Sequence, residues 1–369
     1  MSNIHLKSYL STLLLLFLFM SNFIYAEEKQ VIKLGMSTAL SGPAKQIGEQ
    51  LYQGSNAYFN KINNNGGING ARVELLVADD GYEPKRAVSN TRHFIYQDKV
   101  DALFGAMGTP TSHAITPILE RVKTPYLMPY SGADFLHHQP TINVFNIRAS
   151  YYDEVREQIK YLVEELKHSK IGFLIQADEF GHVVESALIK SLASYNLKPI
   201  QVARYRRNSN DIDSALKQLK SSNVTAIALV GTYKPLAEFI NKAYQLNFSP
   251  DYTSVSFVSS QDLFDRIKQP SKLMVTEVVP NPKECDAYWC REFIKDMLLA
   301  KIDEPNRLHF EGYLNAMVFS SAVKRCSLPL QRRCLILQLN RVFREDKKIN
   351  SLFVNKTDQN KRIIYRSVF

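Results

Sequence analysis

Apolar residues at Val31, Ile32, Leu34 and Met36 make a short run that the Ser41-Gly42-Pro43 turn closes. A strand buried on both faces of a parallel sheet reads this way. Beyond the turn, Ile47, Leu51, Tyr58 and Phe59 begin a helical spacing, so the pattern predicts strand, tight turn and helix. That order puts the turn at the carboxyl end of the strand, where open α/β sheets bind small ligands beside the N–H groups of a helix start. Further strands are expected at 73–77, 102–104, 125–129 and 144–148, with helices at 85–97 and 109–121. Turn-forming stretches separate them: 63–70 (NNNGGING), Asp79-Asp80-Gly81 and 105–108 (GAMG).

The alternation restarts with an amphipathic helix over 152–168, apolar at Val155, Ile159, Leu162, Val163 and Leu166. Strands follow at 171–175, 199–205, 225–230, 254–258 and 274–279. Between them the spacing predicts helices running from 181 to 195, 212–220 and 236–245, and a short one beginning at Leu263. Helices are expected again at 288–299 and 312–323, and 349–369 reads as strand, polar turn and strand. Two successive runs of β-α units in 369 residues predict an α/β chain built as two doubly wound lobes. The short connections at 147–152 and 275–280 are the candidate hinges.

A hydrophobic fraction of 45% and a charged fraction of 22% are those of an ordinary globular protein. The first 26 residues differ. Lys7, the apolar run LLLLFLFM at 13–20 and the small Ala26 after Ile24-Tyr25 spell a secretory leader, with polar Ser11, Thr12, Ser21 and Asn22 limiting the run. No cysteine stands there to carry a lipid. Export agrees with the four cysteines, which fall into two close pairs, Cys285 with Cys290 and Cys326 with Cys334, candidates for local disulfides. Zinc is the weaker reading, since neither pair has the C-x2-C spacing. The net charge of +10 is concentrated: 324–369 carries twelve Lys and Arg against three Asp and Glu, while 27–323 sums to zero. That basic end suits either a solvated surface or an acidic partner or anionic lipid. Nucleic acid is not expected as a partner, because no recognition motif accompanies the charge.

The Ser41-Gly42-Pro43 turn, the NNNGGING stretch, Asp79-Asp80 and 84–87 (PKRA) together resemble the type I periplasmic solute-binding proteins of ABC importers, the branched-chain amino-acid-binding group. The resemblance continues through 105–112, Arg148-Ala149, Phe180-Gly181, 231–235 and Val278-Val279-Pro280, and fades after about residue 325. It implies two lobes joined by a three-strand hinge, with ligand enclosed between them. Lobe one would be 27–148 plus 278–345, and lobe two 149–277 plus 346–369, after a signal peptide at 1–26.

By the same resemblance, Thr109 and Thr111 lie on the ligand-holding loop, and Ser131, Gly132 and Ala133 on a second loop offering backbone groups. A hydroxyl at a helix start suits an anionic group, and serves equally as an N-cap. Phe180 and Tyr233 match cleft aromatics of the second lobe, although aromatics are also ordinary packing residues. Tyr152 and Asp178 are weaker candidates. Ile47 stands where an aromatic lid is common, and Gly81 and Gly108 stand where the family often has a disulfide. The main departure is at 259–262 (SSQD): amino-acid binders place a carboxylate there for the ligand ammonium, and here the register gives Gln261, with Asp262 or Asp178 as substitutes. Amino acid, amide, urea-like and organic-acid ligands all stay open.

The function implied is a monomeric periplasmic protein, not an enzyme and without cofactor or metal, that captures a small polar solute and delivers it to an ABC permease. The alternative is a sensor whose closed form meets a membrane receptor, kinase or cyclase. No G-x-S-x-G, H-E-x-x-H or G-x-x-x-x-G-K-[ST] motif argues for catalysis. His137-His138 reads as a solvated loop pair, and the acceptor patterns at Asn223, Asn247 and Asn355 as incidental.

Overall fold

The computed structural model describes residues 30–137, 143–354 and 361–369. The expected leader, His138 and the Asn355 acceptor lie outside the described residues.

Five parallel strands form the first sheet: β1 Val31–Thr38, β2 Arg72–Asp79, β3 Ala102–Phe104, β4 Tyr126–Leu127 and β5 Val144–Phe145, in the order β2-β1-β3-β4-β5. The apolar run of β1 pairs on both sides, Leu34 opposite Leu75 and opposite Ala102, and residues 34–38 are all buried. Its helices are α1 Lys45–Asn64, α2 Pro84–His93 and α3 Thr109–Val122. The second sheet has six strands in the order β11-β10-β9-β8-β6-β7: β6 Ile171–Ala177, β7 Gln201–Arg206, β8 Ala226–Val230, β9 Asp251–Ser254, β10 Leu273–Glu277 and β11 Tyr365–Val368. Only β11 runs antiparallel, with Ser367 opposite Val275. Around this sheet lie α4 Tyr151–Lys160, α5 Glu179–Ala193, α6 Asp213–Ser221, α7 Tyr233–Gln245 and α8 Ser260–Phe264. Doubly wound sheets of this kind make the chain a two-lobe α/β protein.

After β10 the chain returns to the first lobe through α9 Tyr288–Leu299, α10 Arg307–Val323, α11 Arg332–Glu345 and the single turn α12 Lys347–Asn350. Phe293, Phe310, Phe319 and Phe343 from these helices share one core with Ile32, Leu34 and Phe104 of the first sheet. The chain therefore passes between the lobes three times: after β5, after β10 and before β11. The crossing of α1 and α10 explains two glycines. A Cβ on Gly54 would stand 1.9 Å from the His309 carbonyl oxygen, and one on Gly312 would stand 2.2 Å from that of Leu51. The backbones are close enough for Ser55 Oγ to donate to the Gly312 carbonyl at 2.9 Å.

Three expectations are corrected. The strand placed at 254–258 is β9 at Asp251–Ser254, followed by a 3-10 turn at Ser256–Val258 and by Ser259 at φ +64°. Apolar Val255, Phe257 and Val258 imitate a strand because they are buried, but against the other lobe as well as their own. Ile349 lies in the turn α12 rather than in a strand. The helix α11 was not anticipated. Its buried Leu335, Leu339, Val342 and Phe343 keep helical spacing between the exposed Arg332, Arg333, Arg341 and Arg344, and the basic residues mask the apolar stripe. Cys285 is bonded to Cys290, and Cys326 to Cys334, with Cα separations of 5.9 and 6.0 Å. Among the described residues no helix is long and apolar enough to cross a membrane.

Candidate functional site

The turns at the carboxyl ends of both sheets meet in a buried seam. On the first-lobe side, α3 starts at Thr109, directly after Gly108 at φ +106°. Thr109 Oγ1 lies 2.8 Å from Ser131 Oγ and 3.5 Å from the Tyr151 hydroxyl, and all three side chains are buried. Thr111 faces its own helix turn, where its hydroxyl donates to the Gly108 carbonyl at 3.0 Å and to that of Met107. The loop of Ser131, Gly132 and Ala133 is pinned to the first crossing. The Tyr151 N–H donates to the Gly132 carbonyl at 2.7 Å, and a Cβ on Gly132 would lie 2.9 Å from the Ala149 carbonyl oxygen. The Ala133 N–H donates to Ser131 Oγ at 3.3 Å, and Asn146 Nδ2 to the Ser131 carbonyl at 2.9 Å. Thr109 and Ser131 thus converge, and Thr111 points away from them.

On the second-lobe side, Asp178 caps α5 by accepting from the Gly181 N–H at 3.1 Å, which holds Phe180 in the first helical turn. The Phe180 ring sits 5.4 Å from Tyr151 and 4.6 Å from Phe257. Phe257 in turn sits 5.2 Å from Tyr130 and 5.8 Å from Tyr82, both on the first lobe. Burial raises the Asp178 carboxyl to about 6, against its hydrogen bonds from Gly181 and Gln176. Tyr233 is the first residue of α7; its hydroxyl donates to Gln46 Oε1 across the seam, and the Arg266 guanidinium lies 4.7 Å from its ring centre. Gln261 is exposed, and its amide donates to Asp265 Oδ1 at 2.8 Å. The buried neighbour is Asp262, which accepts from Ser259 Oγ at 2.5 Å and from Gln50 Nε2 of the first lobe at 3.5 Å.

At the hinge, Arg148 is fully buried. Its Nη1 donates to both Glu311 oxygens at 2.6 and 2.7 Å, its Nη2 reaches Ser256 Oγ, and its guanidinium lies 4.1 Å from the Tyr130 ring centre. Glu154 accepts from the Ser256 N–H at 2.7 Å and from Thr276 Oγ1 at 2.8 Å. Burial raises Glu154 to about 7, with Arg148 opposing the rise. Among the described residues no group of three or more His, Cys, Asp or Glu is placed to hold a metal ion.

A family model described as periplasmic binding protein matches residues 31–359. The chain belongs to the periplasmic binding proteins. It is 22% identical over 287 residues to the Leu/Ile/Val-binding protein of Escherichia coli strain K12, covering 78% of this chain and 76% of that one. Its fold is similar to that of a possible leucine/isoleucine/valine-binding protein from Rhodopirellula baltica, with a TM-score of 0.85, 27% identity and coverage of 92% and 94%. A substrate-binding periplasmic protein from Ralstonia solanacearum gives a TM-score of 0.81 at 26% identity, covering 91% and 97%. These comparisons make the chain a type I periplasmic binding protein of the Leu/Ile/Val-binding group, with a solute-binding role.

In this periplasmic binding protein the motif residues account for only part of the seam. Phe257, Tyr82, Tyr130, Tyr151, Arg148 and Glu311 were not among the expected site residues. Phe257 was hidden in an apparent strand, Tyr130 stood beside the second loop with no role of its own, and Tyr82 and Tyr151 belong to no motif. Arg148 was noted only as part of a motif, although an arginine in an apolar stretch between two lobes is a signal that it needs a distant carboxylate.

Proposed function

We propose that this periplasmic binding protein is exported, captures a small polar solute between its lobes and delivers it to an ABC importer. Lobe one then comprises 27–148 and 278–345, and lobe two 149–277 and 346–369. The observation that carries the reading is the Thr109–Ser131 hydroxyl pair at the start of α3, enclosed by side chains of the opposite lobe. Two buried hydroxyls at the positive end of a helix suit a carboxylate or amide oxygen. The name of the Escherichia coli relative supports an amino acid or related compound as the class of solute.

Binding works by closure. With the lobes apart, Thr109, Ser131 and Phe180 are accessible; with them together, the Tyr233–Gln46 contact and the Arg207–Glu83 pair, whose Nη2 and Oε2 are 2.8 Å apart, hold the seam shut. A solute that contacts both lobes binds only the closed form and shifts the population toward it. A thermal-shift panel of amino acids, amides and organic acids against residues 27–369 tests this. One class should raise the midpoint with concentration, and Thr109→Ala and Ser131→Ala should each remove that response while the protein stays folded. If every compound leaves the midpoint unmoved, or the response survives both substitutions, the reading is wrong.

A further inference from the structure

Beside the aromatic seam lies a separate polar chamber of about 110 Å³ between the lobes. It shares Tyr130 and Ser256 with the seam, but Thr109, Ser131 and Phe180 are not in its wall. One side is the start of α10, with Arg307 and Glu311; the other is the end of β10 and the start of α8, with Glu277, Ser259 and Ser260. Lys283 and Glu304 stand at the exposed rim.

The charges in this wall are paired off unevenly. Glu311 is taken by Arg148, at 2.6 Å. That leaves Glu277 and Glu304 against Arg307 and Lys283, a balanced set that favours neither a free anion nor a free cation. Arg307 Nε is buried and has no hydrogen-bond partner among the described residues. The nearest carboxylate oxygen it faces, Glu277 Oε1, is 4.0 Å away, too far for a hydrogen bond. Glu277 itself is buried and accepts from Ser367 Oγ at 3.0 Å and from the Ser260 side chain, and a carboxylate has acceptor sites beyond these two. Arg307, with this unspent donor, and Glu277 both line the chamber. A buried N–H without a partner calls for a missing water or ligand.

We propose that this chamber is a second, hinge-side binding site for a small zwitterion of glycine or alanine size. The ligand carboxylate accepts from the Arg307 guanidinium, and its ammonium donates to Glu277. Because Arg307 and Glu277 belong to opposite lobes, a ligand here bridges them and favours closure. The volume suits the class: a cavity of about 150 Å³ holds benzene, so a chamber of about 110 Å³ matches the five or six heavy atoms of glycine or alanine. The site is apart from the Thr109–Ser131 pair, so either assignment can fail without the other.

Calorimetric titration of glycine, L-alanine and L-leucine into residues 27–369, wild type and variants, tests the assignment. Glycine or L-alanine should bind. Arg307→Gln and Glu277→Gln should each weaken that binding by about tenfold or more, the loss expected for one charge-assisted hydrogen bond, and Thr109→Ala should leave it unchanged. Should the buried Glu277→Gln fail to fold, Arg307→Lys, which keeps the charge but removes Nε, should show the same weakening. The proposal is overturned if neither small amino acid binds. It is equally overturned if binding disappears in Thr109→Ala and persists in Arg307→Gln and Arg307→Lys, which would return the ligand to the seam.

Discussion

Arg148 shows what a single residue does at the hinge. A buried guanidinium is tolerable only when its charge is met, and Glu311 meets it from 163 residues away, both its oxygens accepting from Nη1, with Ser256 at Nη2 and the Tyr130 face beside it. Removing one partner leaves the other charge buried and bare. Glu311→Ala should therefore cost roughly 3–5 kcal/mol of unfolding free energy, measured by urea denaturation. The double replacement Arg148→Met with Glu311→Leu should cost less than the single one, because no charge is left stranded. A Glu311→Ala protein as stable as wild type would show that the pair contributes nothing. At this scale the sequence was informative where chemistry is local. Thr109 and Ser131 were placed on two different loops, and their hydroxyls lie 2.8 Å apart. Gln261 was expected to meet the ligand; it is exposed at the edge of the polar chamber with its amide on Asp265, and Asp262 is the buried acid of the same turn.

Elements come next, and α10 is the most constrained. It is buried on nearly every side, crosses α1 at Gly54 and Gly312, and begins with a capping box in which Asn306 accepts from the Leu308 and His309 N–H groups. His309 completes that box: its Nδ1 accepts from the Asn306 N–H at 3.2 Å, and its Nε2 lies 3.0 Å from Gln53 Oε1. Burial lowers the imidazole to about 4. The unfolded chain then takes up the proton near the ordinary histidine value and the folded chain only near 4, so this group costs stability as pH falls between them. The slope approaches roughly 1.4 kcal/mol per pH unit in the middle of the window. His309→Gln should flatten the loss of melting temperature between pH 6.5 and pH 4, its amide keeping a polar contact to Gln53. An unchanged slope would mean that carboxylates govern this range. The start of α10 was placed five residues too late at the sequence level, at Gly312 rather than Arg307. Polar Arg307, His309 and Glu311 break the apolar spacing there, and His309 and Glu311 are buried against partners that periodicity does not reveal.

For the whole molecule the question is what holds two lobes together. The seam combines aromatic packing around Phe257 with polar clasps at its edge. Glu83 of the first lobe accepts from Arg207 Nη2 at 2.8 Å and from Asn208 Nδ2 at 2.5 Å of the second. These groups are partly exposed, so each contributes little to folding, but they act only when the lobes meet. Glu83→Ala should shift the free protein toward an open form, seen as a larger radius of gyration by small-angle scattering, and a bound solute should restore the smaller value. An unchanged radius in the free variant would place the latch in the aromatic seam instead.

The sequence alone determined the alternation of strand and helix, the burial of the central strands, the close cysteine pairs and the turn that leads into Thr109. All of these follow from spacing over a few residues, where backbone periodicity and turn chemistry act. The tertiary structure alone decided that Phe257 leaves the sheet to meet Tyr82 and Tyr130, and that Arg148 finds Glu311. It also decided that Arg307 and Glu277 line one chamber. Those choices come from two sheets closing on each other, which brings together side chains far apart along the chain whose demands for partners have no period.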